Sequence, residues 1–234
     1  MNIFRNLQSV ETKYIIDTDL IEFPHIPKGV YQDIKKYPSA RKVGCPAVSS
    51  VDNTLYYAHS PISLEVEFGL DDYREPYYRY LYDHKTVQDN DYVKQWLQKT
   101  LVVQQTKGKV DFQMILPYAF ITDHKDLHLQ TLPPPNITHE NCHYVTGGLN
   151  PYSWIRNLNS AWCVIDNSKP ARIRFDVSKP AIMYHFSKPI NLEHIEKNKN
   201  INDYLEQHRF ISTYRLHQRK LINGILKRRP KKLI

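Results

Sequence analysis

The sequence is poor in glycine and in long apolar runs, and each shortage excludes a class of protein. Only 7 of the 234 residues are glycine, which excludes collagen-like and glycine-rich low-complexity chains, and we identify no internal repeat. The amino terminus, MNIFRNLQSV, lacks the apolar centre of a signal peptide. No run reaches the roughly 18 apolar residues that a membrane-spanning helix needs. We therefore expect a cytoplasmic protein that is neither secreted nor inserted in a membrane.

Cysteine is also scarce. The three cysteines, Cys45, Cys142 and Cys163, are odd in number and far apart. Small secreted domains that depend on disulfides use an even number of cysteines. We predict free thiols in a reducing compartment.

Two families of catalytic motif are missing. The sequence contains no glycine loop of the form GxxxxGK[ST] or GxGxxG and no GxSxG turn. Nucleotide binding and serine-hydrolase chemistry therefore have no support, and the catalytic residues are unknown.

Alternation of apolar and polar residues is the strongest pattern present. It runs through residues 62–68, 110–116 and 173–177, and proline-marked turns separate many of the short segments. A period of two is typical of half-buried strands. We predict a single, mainly β domain over residues 1–200, of the β-sandwich or jelly-roll type.

Two segments depart from this alternation. Residues 71–99 are charged and rich in tyrosine, which predicts an insertion with a helix over Tyr92–Leu101, capped by Asp89 or Asn90. Residues 201–226 predict an amphipathic C-terminal helix capped by Asn202. A basic, disordered tail is expected over 227–234.

The positive charge lies at one end of the chain. After Glu206 there are nine Lys and Arg residues and no acid, which accounts for the whole net charge of +8. Such a segment binds an acidic protein surface, or binds nucleic acid without sequence preference. We favour a protein partner or self-association. The expected contact residues are Tyr77, Tyr78, Tyr80, Arg215, Arg219, Lys220, Lys227, Arg228 and Arg229.

Residues 139–143, HENCH, carry the letters of a zinc-protease motif. That motif needs a helix, which places both histidines on one face. Pro133, Pro134 and Pro135 precede it, and two glycines follow at 147–148, so little room remains for a helix. We predict a polar loop between strands and not a zinc protease.

A second metal hypothesis is harder to dismiss. Jelly-roll enzymes hold iron with two histidines and a carboxylate from neighbouring strands. His124 and Asp126 form an H-x-D pair, and His185 lies in a later predicted strand. The alternative function is therefore a cupin-like or oxygenase-like non-haem enzyme with Fe or Zn, whereas the favoured function needs no cofactor.

A spaced set of residues carries a family resemblance over residues 41–195. Its members, in order, are Cys45 to Ala47, Asn53 and Thr54, Ser60 to Ile62, Leu132 to Pro134, Gly147, Tyr152 to Trp154, Asn157 to Trp162, Ile173 to Phe175 and Phe186 to Ile190. The pattern resembles an uncharacterised family of β-rich proteins from bacteria and tailed bacteriophages, including marine T4-like phages. The resemblance implies one β-rich domain and a phage-encoded or virion-associated component, and it supplies no activity. We predict a non-catalytic binding or assembly protein.

Overall fold

The computed structural model describes residues 9–16, 32–38, 54–82, 91–155, 157–196 and 198–203. Strands dominate this part of the chain, which confirms the prediction of a mainly β protein. In chain order the elements are β1 (Val10–Ile16), β2 (Lys35–Lys36), β3 (Leu55–His59), β4 (Leu64–Leu70), β5 (Pro76–Tyr82), α1 (Asp91–Thr100), β6 (Leu101–Thr106), β7 (Lys109–Ile121), β8 (Leu129–Leu132), β9 (Thr138–Glu140), β10 (Cys142–Tyr144), β11 (Gly148–Leu149), β12 (Asn157–Val164), β13 (Ala171–Phe175), β14 (Pro180–Phe186) and β15 (Ile190–His194).

The described strands form three sheets. Sheet A has the order β10-β12-β7-β1-β15, with β6 paired to the first half of β7. Sheet B has the order β11-β8-β14-β3-β2, and sheet C has the order β5-β4-β13-β9. Among these pairs only β1 and β15 run parallel. Most strands pair with a strand that is distant in sequence, and alternation alone does not reveal such pairings.

Strand β7 connects the three sheets through its aromatic side chains. Near its start, the ring of Phe112 stacks on Phe68 of sheet C, with 4.9 Å between ring centroids. Near its end, Phe120 packs edge-on against Tyr184 and Phe186 of sheet B, at 4.8 and 5.4 Å. Residues of all three sheets consequently belong to one hydrophobic core. Aromatic pairs of this kind add stability beyond the area they bury.

The alternating patterns correspond to real strands. In β4 the side chains of Leu64, Val66 and Phe68 are buried, and Glu65 is exposed. Residues 110–116 belong to β7, although the strand is longer than its alternation suggests. From 117 to 121 every residue is buried, because the second half of β7 has core on both faces.

The predicted insertion at 71–99 is only partly helical. Its tyrosine-rich part is strand β5, which pairs along its whole length with β4 and is therefore integral to sheet C. Helix α1 ends one residue before the predicted boundary and contributes Trp96 and Leu97 to the core. The expected caps Asp89 and Asn90 lie outside the described residues. Within the described chain, no helix combines the length and apolarity needed to cross a membrane.

The start of the C-terminal helix differs from its prediction. Residues 199–203 are helical, and the Asn198 side chain accepts a hydrogen bond from the backbone N–H of Ile201 at 2.9 Å. Asn198 is thus the N-cap, and the prediction of Asn202 was wrong by four residues, since Asn202 lies inside the turn. Ile201 is buried against Ile15 and Ala119 on the second face of sheet A. The rest of the predicted helix at 201–226, and the tail at 227–234, lie outside the described residues.

A short tandem motif contradicts our finding of no repeat. The sequence D-x-S-K-P-A occurs at 166–171 and again at 176–181. In each copy the aspartate Oδ1 accepts hydrogen bonds from the serine N–H and hydroxyl, at 2.9 and 2.8 Å for Asp166 and 2.8 and 2.7 Å for Asp176. These bonds hold the pKa of both carboxyl groups below the usual range. The motif builds the same turn immediately before β13 and at the start of β14.

Candidate binding surface

The outer face of sheet C carries a regular array of charges. The register places Arg79, Glu67, Arg172 and Glu140 side by side on β5, β4, β13 and β9, so that the sign alternates across the sheet. Arg172 donates to one oxygen of Glu67 from Nε at 3.1 Å and from Nη2 at 2.9 Å. Opposite charges on neighbouring strands stabilise a sheet modestly and fix its register.

One edge of this face is apolar as well as charged. We call Tyr73, Tyr77, Arg79 and Leu81 the β5 strip, because they lie in the β4–β5 turn and along the outer side of β5. Tyr73 is 88% exposed and Leu81 is 77% exposed. Large apolar side chains of this exposure, placed beside Tyr and Arg, are typical of protein interfaces.

The β5 strip is held in place by bonds within the chain. The Asp71 carboxylate accepts hydrogen bonds from the backbone N–H of Tyr73 and of Glu75, both at 2.9 Å, which fixes the turn. The Tyr77 hydroxyl donates to Glu67 at 3.3 Å, and the Arg79 guanidinium lies 5.5 Å from the centre of the Tyr77 ring. Burial and the Glu67 carboxylate together raise the pKa of Tyr77. These contacts restrict the backbone of the turn and the side chains of Tyr77 and Arg79 before any partner binds.

The structure divides the predicted tyrosine cluster between two faces. Tyr77 lies on the outer face, as expected for a contact residue. Tyr78 and Tyr80 face inward, where they pack against the core, and their rings stack at 6.3 Å. Burial raises the pKa of Tyr78. Alternation along β5 explains this division, since residues 78 and 80 share the face of Val66 and Phe68.

The other predicted contact residues belong to the basic C-terminal segment. The six basic residues of the C-terminal segment lie outside the described residues: Arg215, Arg219, Lys220, Lys227, Arg228 and Arg229. Their contribution to binding stays a prediction. The structure shows only where this segment starts, at the buried Ile201 on sheet A.

The predicted metal ligands, His124, Asp126 and His185, belong to no cluster of metal-ligating side chains in the described chain. His124 and Asp126 are exposed in the loop between β7 and β8, and His185 is half-buried in β14. Across the described chain, no group of three or more His, Cys, Asp or Glu side chains could hold a metal ion. The alternative of a non-haem iron or zinc enzyme is thus a prediction without structural support.

HENCH is neither a helix nor a loop. His139 lies in β9 of sheet C, opposite Ile173, and His143 lies in β10 of sheet A, opposite Cys163. The two histidines therefore do not share a helical face as the zinc-protease motif requires, and the prediction of a loop was wrong. Between the two strands Asn141 adopts a left-handed backbone with φ of 52°, and there the chain passes from one sheet to the other.

The two described cysteines are free and buried. In sheet A the residue opposite Cys142 is Val164, and the residue opposite Cys163 is His143, so the two thiols point to opposite faces. The prediction of free thiols is confirmed for this pair, and Cys45 lies outside the described residues. The Cys142 thiol donates to the carbonyl oxygen of Arg172 at 3.6 Å.

Burial of Cys142 predicts a loss of stability at alkaline pH. Burial raises the pKa of its thiol from 9.0 to about 11. Above pH 9 the unfolded chain therefore loses this proton while the folded chain keeps it, so stability is full below pH 9 and falls as the pH approaches 11. We expect Cys142 to account for about 1–2 kcal/mol of that loss.

Urea unfolding across this pH range, for wild type and Cys142→Ala, measures the effect. The variant should show the shallower decline, since its remaining slope comes from tyrosines and other groups common to both proteins. Parallel declines would mean that the Cys142 thiol titrates alike in the folded and unfolded chains.

Comparison with known proteins finds no matching family model, no similar curated protein and no similar solved structure. The resemblance to the phage and bacterial family thus stays a prediction.

Proposed function

We propose that the protein is a non-catalytic binding or assembly protein that uses the β5 strip as a contact surface. The observation that carries this proposal is the exposure of Tyr73 and Leu81, at 88% and 77%, on either side of Tyr77 and Arg79. Tyrosine and arginine, together with tryptophan, are enriched among the residues that dominate binding energy at protein interfaces. The strip offers two apolar anchors and one cation.

Part of the β5 strip is held in place before a partner binds. A flexible side chain loses roughly 0.5–1.5 kcal/mol of conformational freedom when an interface immobilises it. The Asp71 hydrogen bonds and the contacts of Tyr77 with Glu67 and Arg79 already restrict this part of the surface. Binding at the strip therefore incurs less of this cost than binding at an unrestrained surface.

The expected occupant is a protein surface, either of a partner or of a second copy. It would present an apolar depression to Leu81 and a carboxylate to Arg79. The basic C-terminal segment would supply a second contact. A phage-encoded or virion-associated role agrees with the resemblance of residues 41–195, and nucleic acid is the alternative ligand of the basic segment.

For the fold, we infer a sandwich-like arrangement in which sheet A packs against sheets B and C. The ring contacts of Phe112 with Phe68, and of Phe120 with Phe186, support it. This arrangement leaves the outer face of sheet C, and hence the β5 strip, open to a partner.

Native mass spectrometry of the full chain, purified without chelator, tests the functional proposal. We expect a metal-free oligomer of fixed size. Leu81→Ser and Arg79→Glu should each raise the dissociation constant by about tenfold or more, as expected for interface anchors. Ile165→Ser is the matched control, because Ile165 is also exposed, at 57%, but lies in the turn after β12.

Two outcomes would contradict the proposal. A monomer that carries one equivalent of iron or zinc would favour the enzyme alternative and direct attention to His124, Asp126 and His185. An oligomer weakened equally by the Ile165 control would show that the β5 strip is not the contact. A separate result would support the nucleic-acid alternative: binding of nucleic acid that requires residues 207–234 and weakens steeply as the salt concentration rises.

A further inference from the structure

A small polar cleft lies at the edge of sheet C opposite to the β5 strip. It has a volume of about 210 Å³ and is formed where β9 begins and where β13 turns into β14. Arg174 of β13 and Lys179 of the following turn line it, together with Thr138 of β9 and Asn136. Asn136 has a left-handed backbone, with φ of 60°, and so bends the chain into β9.

The two cations in this cleft form no ion pair with a described carboxylate. Among the described residues, no carboxylate forms an ion pair with Arg174 or Lys179, although Arg172, two residues earlier, is paired with Glu67 at 2.9 Å. Glu65 is the cross-strand neighbour of Arg174 on one side and Thr138 on the other. Asp176 attracts both cations across the lining, but neither is held in an ion pair, so each can still contact an anion.

The single carboxylate in the lining is engaged in its own turn. Asp176 accepts the N–H and the hydroxyl of Ser178, and these bonds lower its pKa, so it remains ionised at neutral pH. Its charge offsets one of the two cations, which leaves the cleft positive by one. Ile137 and Pro180, which are both partly exposed, give the cleft an apolar wall beside the cations.

We propose that this cleft binds a phosphate group, either as the free ion or at the end of a larger molecule. Arg174 would contact two phosphate oxygens through its planar guanidinium, a geometry that suits phosphate. Lys179 would supply a second charge, and the Thr138 hydroxyl would donate a hydrogen bond. The apolar wall favours a phosphomonoester over the free ion. This site is independent of the proposed assembly function.

The tandem motif supplies matched controls for the test. Lys169 occupies the same position in the turn at 166–171 as Lys179 does in the turn at 176–181, and Lys169 is exposed but does not line the cleft. Arg172 lies on the same face of β13 as Arg174 and is already paired. Each substitution in the cleft can therefore be compared with one in an equivalent local structure.

Titration of the full chain with inorganic phosphate and with phenyl phosphate, followed by ¹H–¹⁵N NMR, provides the test. We expect saturable shifts confined to residues 136–138 and 174–180, with dissociation constants of about 1 mM or below and the lower value for phenyl phosphate. Arg174→Gln and Lys179→Gln should each weaken binding by about tenfold or more, since charge-assisted hydrogen bonds are lost. Arg172→Gln and Lys169→Gln should leave the affinity within about twofold.

Several results would overturn the proposal. One is a linear, non-saturating response to both compounds. Another is an equal loss of affinity in the control variants, which would show general attraction to a basic protein. Shifts that appear only outside the cleft would place phosphate elsewhere, for example on the C-terminal cations. Tighter binding of free phosphate than of phenyl phosphate would refute the role of the apolar wall.

Discussion

Replacing Phe120 with alanine is expected to lower the free energy of unfolding by about 3–5 kcal/mol. Phe120 is 1% exposed and packs against Tyr184 at 4.8 Å, Phe186 at 5.4 Å and Tyr14 at 6.5 Å. Its removal takes away both the buried ring and the contact between sheets A and B. Partners fixed in β1 and β14 cannot move far enough to fill the space, so a cavity term adds to the lost burial.

Urea unfolding followed by tryptophan fluorescence measures this loss. Ile165→Ala is the control, because Ile165 is 57% exposed and lies outside the β5 strip, and its truncation should change stability by no more than about 0.5 kcal/mol. Phe120→Leu should fall between the two, since it retains part of the volume. A loss for Phe120→Ala as small as that of the control would show that the sheets do not depend on this ring.

The sequence predicts the strands of this core better than it predicts their arrangement. Alternation identifies β4 and the first half of β7 because each has one buried and one polar face. It fails from Pro117 onward, where both faces are buried and polar residues no longer mark the period. The contacts of Phe112 with sheet C and of Phe120 with sheet B join residues far apart in sequence, and no local pattern encodes them.

The candidate site shows the same division. The tyrosines of β5 are evident in the sequence, but their assignment to two faces requires the period of the strand. Residues 77 and 79 face outward, whereas residues 78 and 80 face the core. The charged array of sheet C depends on the register of four strands, two of which, β9 and β13, are separated by β10 to β12.

Two local features of the sequence do predict structure that alternation does not, namely a turn motif and a helix cap. The tandem D-x-S-K-P-A motif is visible in the letters, and aspartate followed two residues later by serine is a known turn former. Asn198, with an apolar residue three positions later, was as good a helix cap as Asn202. Asn141, by contrast, is one asparagine among many in the sequence. Its role is evident only because the strands on either side of it belong to different sheets.

Asn141 is expected to be the most sensitive polar residue of the described chain. Its Nδ2 donates to the carbonyl oxygens of Asp166 and Lys169 at 2.8 and 2.9 Å, and its Oδ1 accepts from the Asp166 N–H at 3.0 Å. One side chain thus connects the crossing between β9 and β10 to the turn between β12 and β13. We expect Asn141→Ala to reduce the free energy of unfolding by about 2–3 kcal/mol, from lost hydrogen bonds and from a left-handed backbone that alanine disfavours.

Comparison of three substitutions separates these causes. Asn141→Gly loses the same hydrogen bonds but tolerates the φ of 52°, so it should retain about 1 kcal/mol more stability than Asn141→Ala. Asn141→Asp keeps the acceptor but turns a carboxylate oxygen toward the two carbonyl oxygens, so it should be destabilised despite its nearly identical shape, and less so at low pH where the carboxyl is protonated. Urea unfolding at neutral and acidic pH measures all three.

Equal stability of the alanine and glycine variants would show that the left-handed backbone contributes nothing to the loss. Wild-type stability of Asn141→Asp at neutral pH would show that the Nδ2 hydrogen bonds do not hold the turn. The chain leaves sheet C for sheet A at Asn141. The difference in free energy of unfolding between wild type and Asn141→Gly therefore measures how much these hydrogen bonds stabilise that crossing.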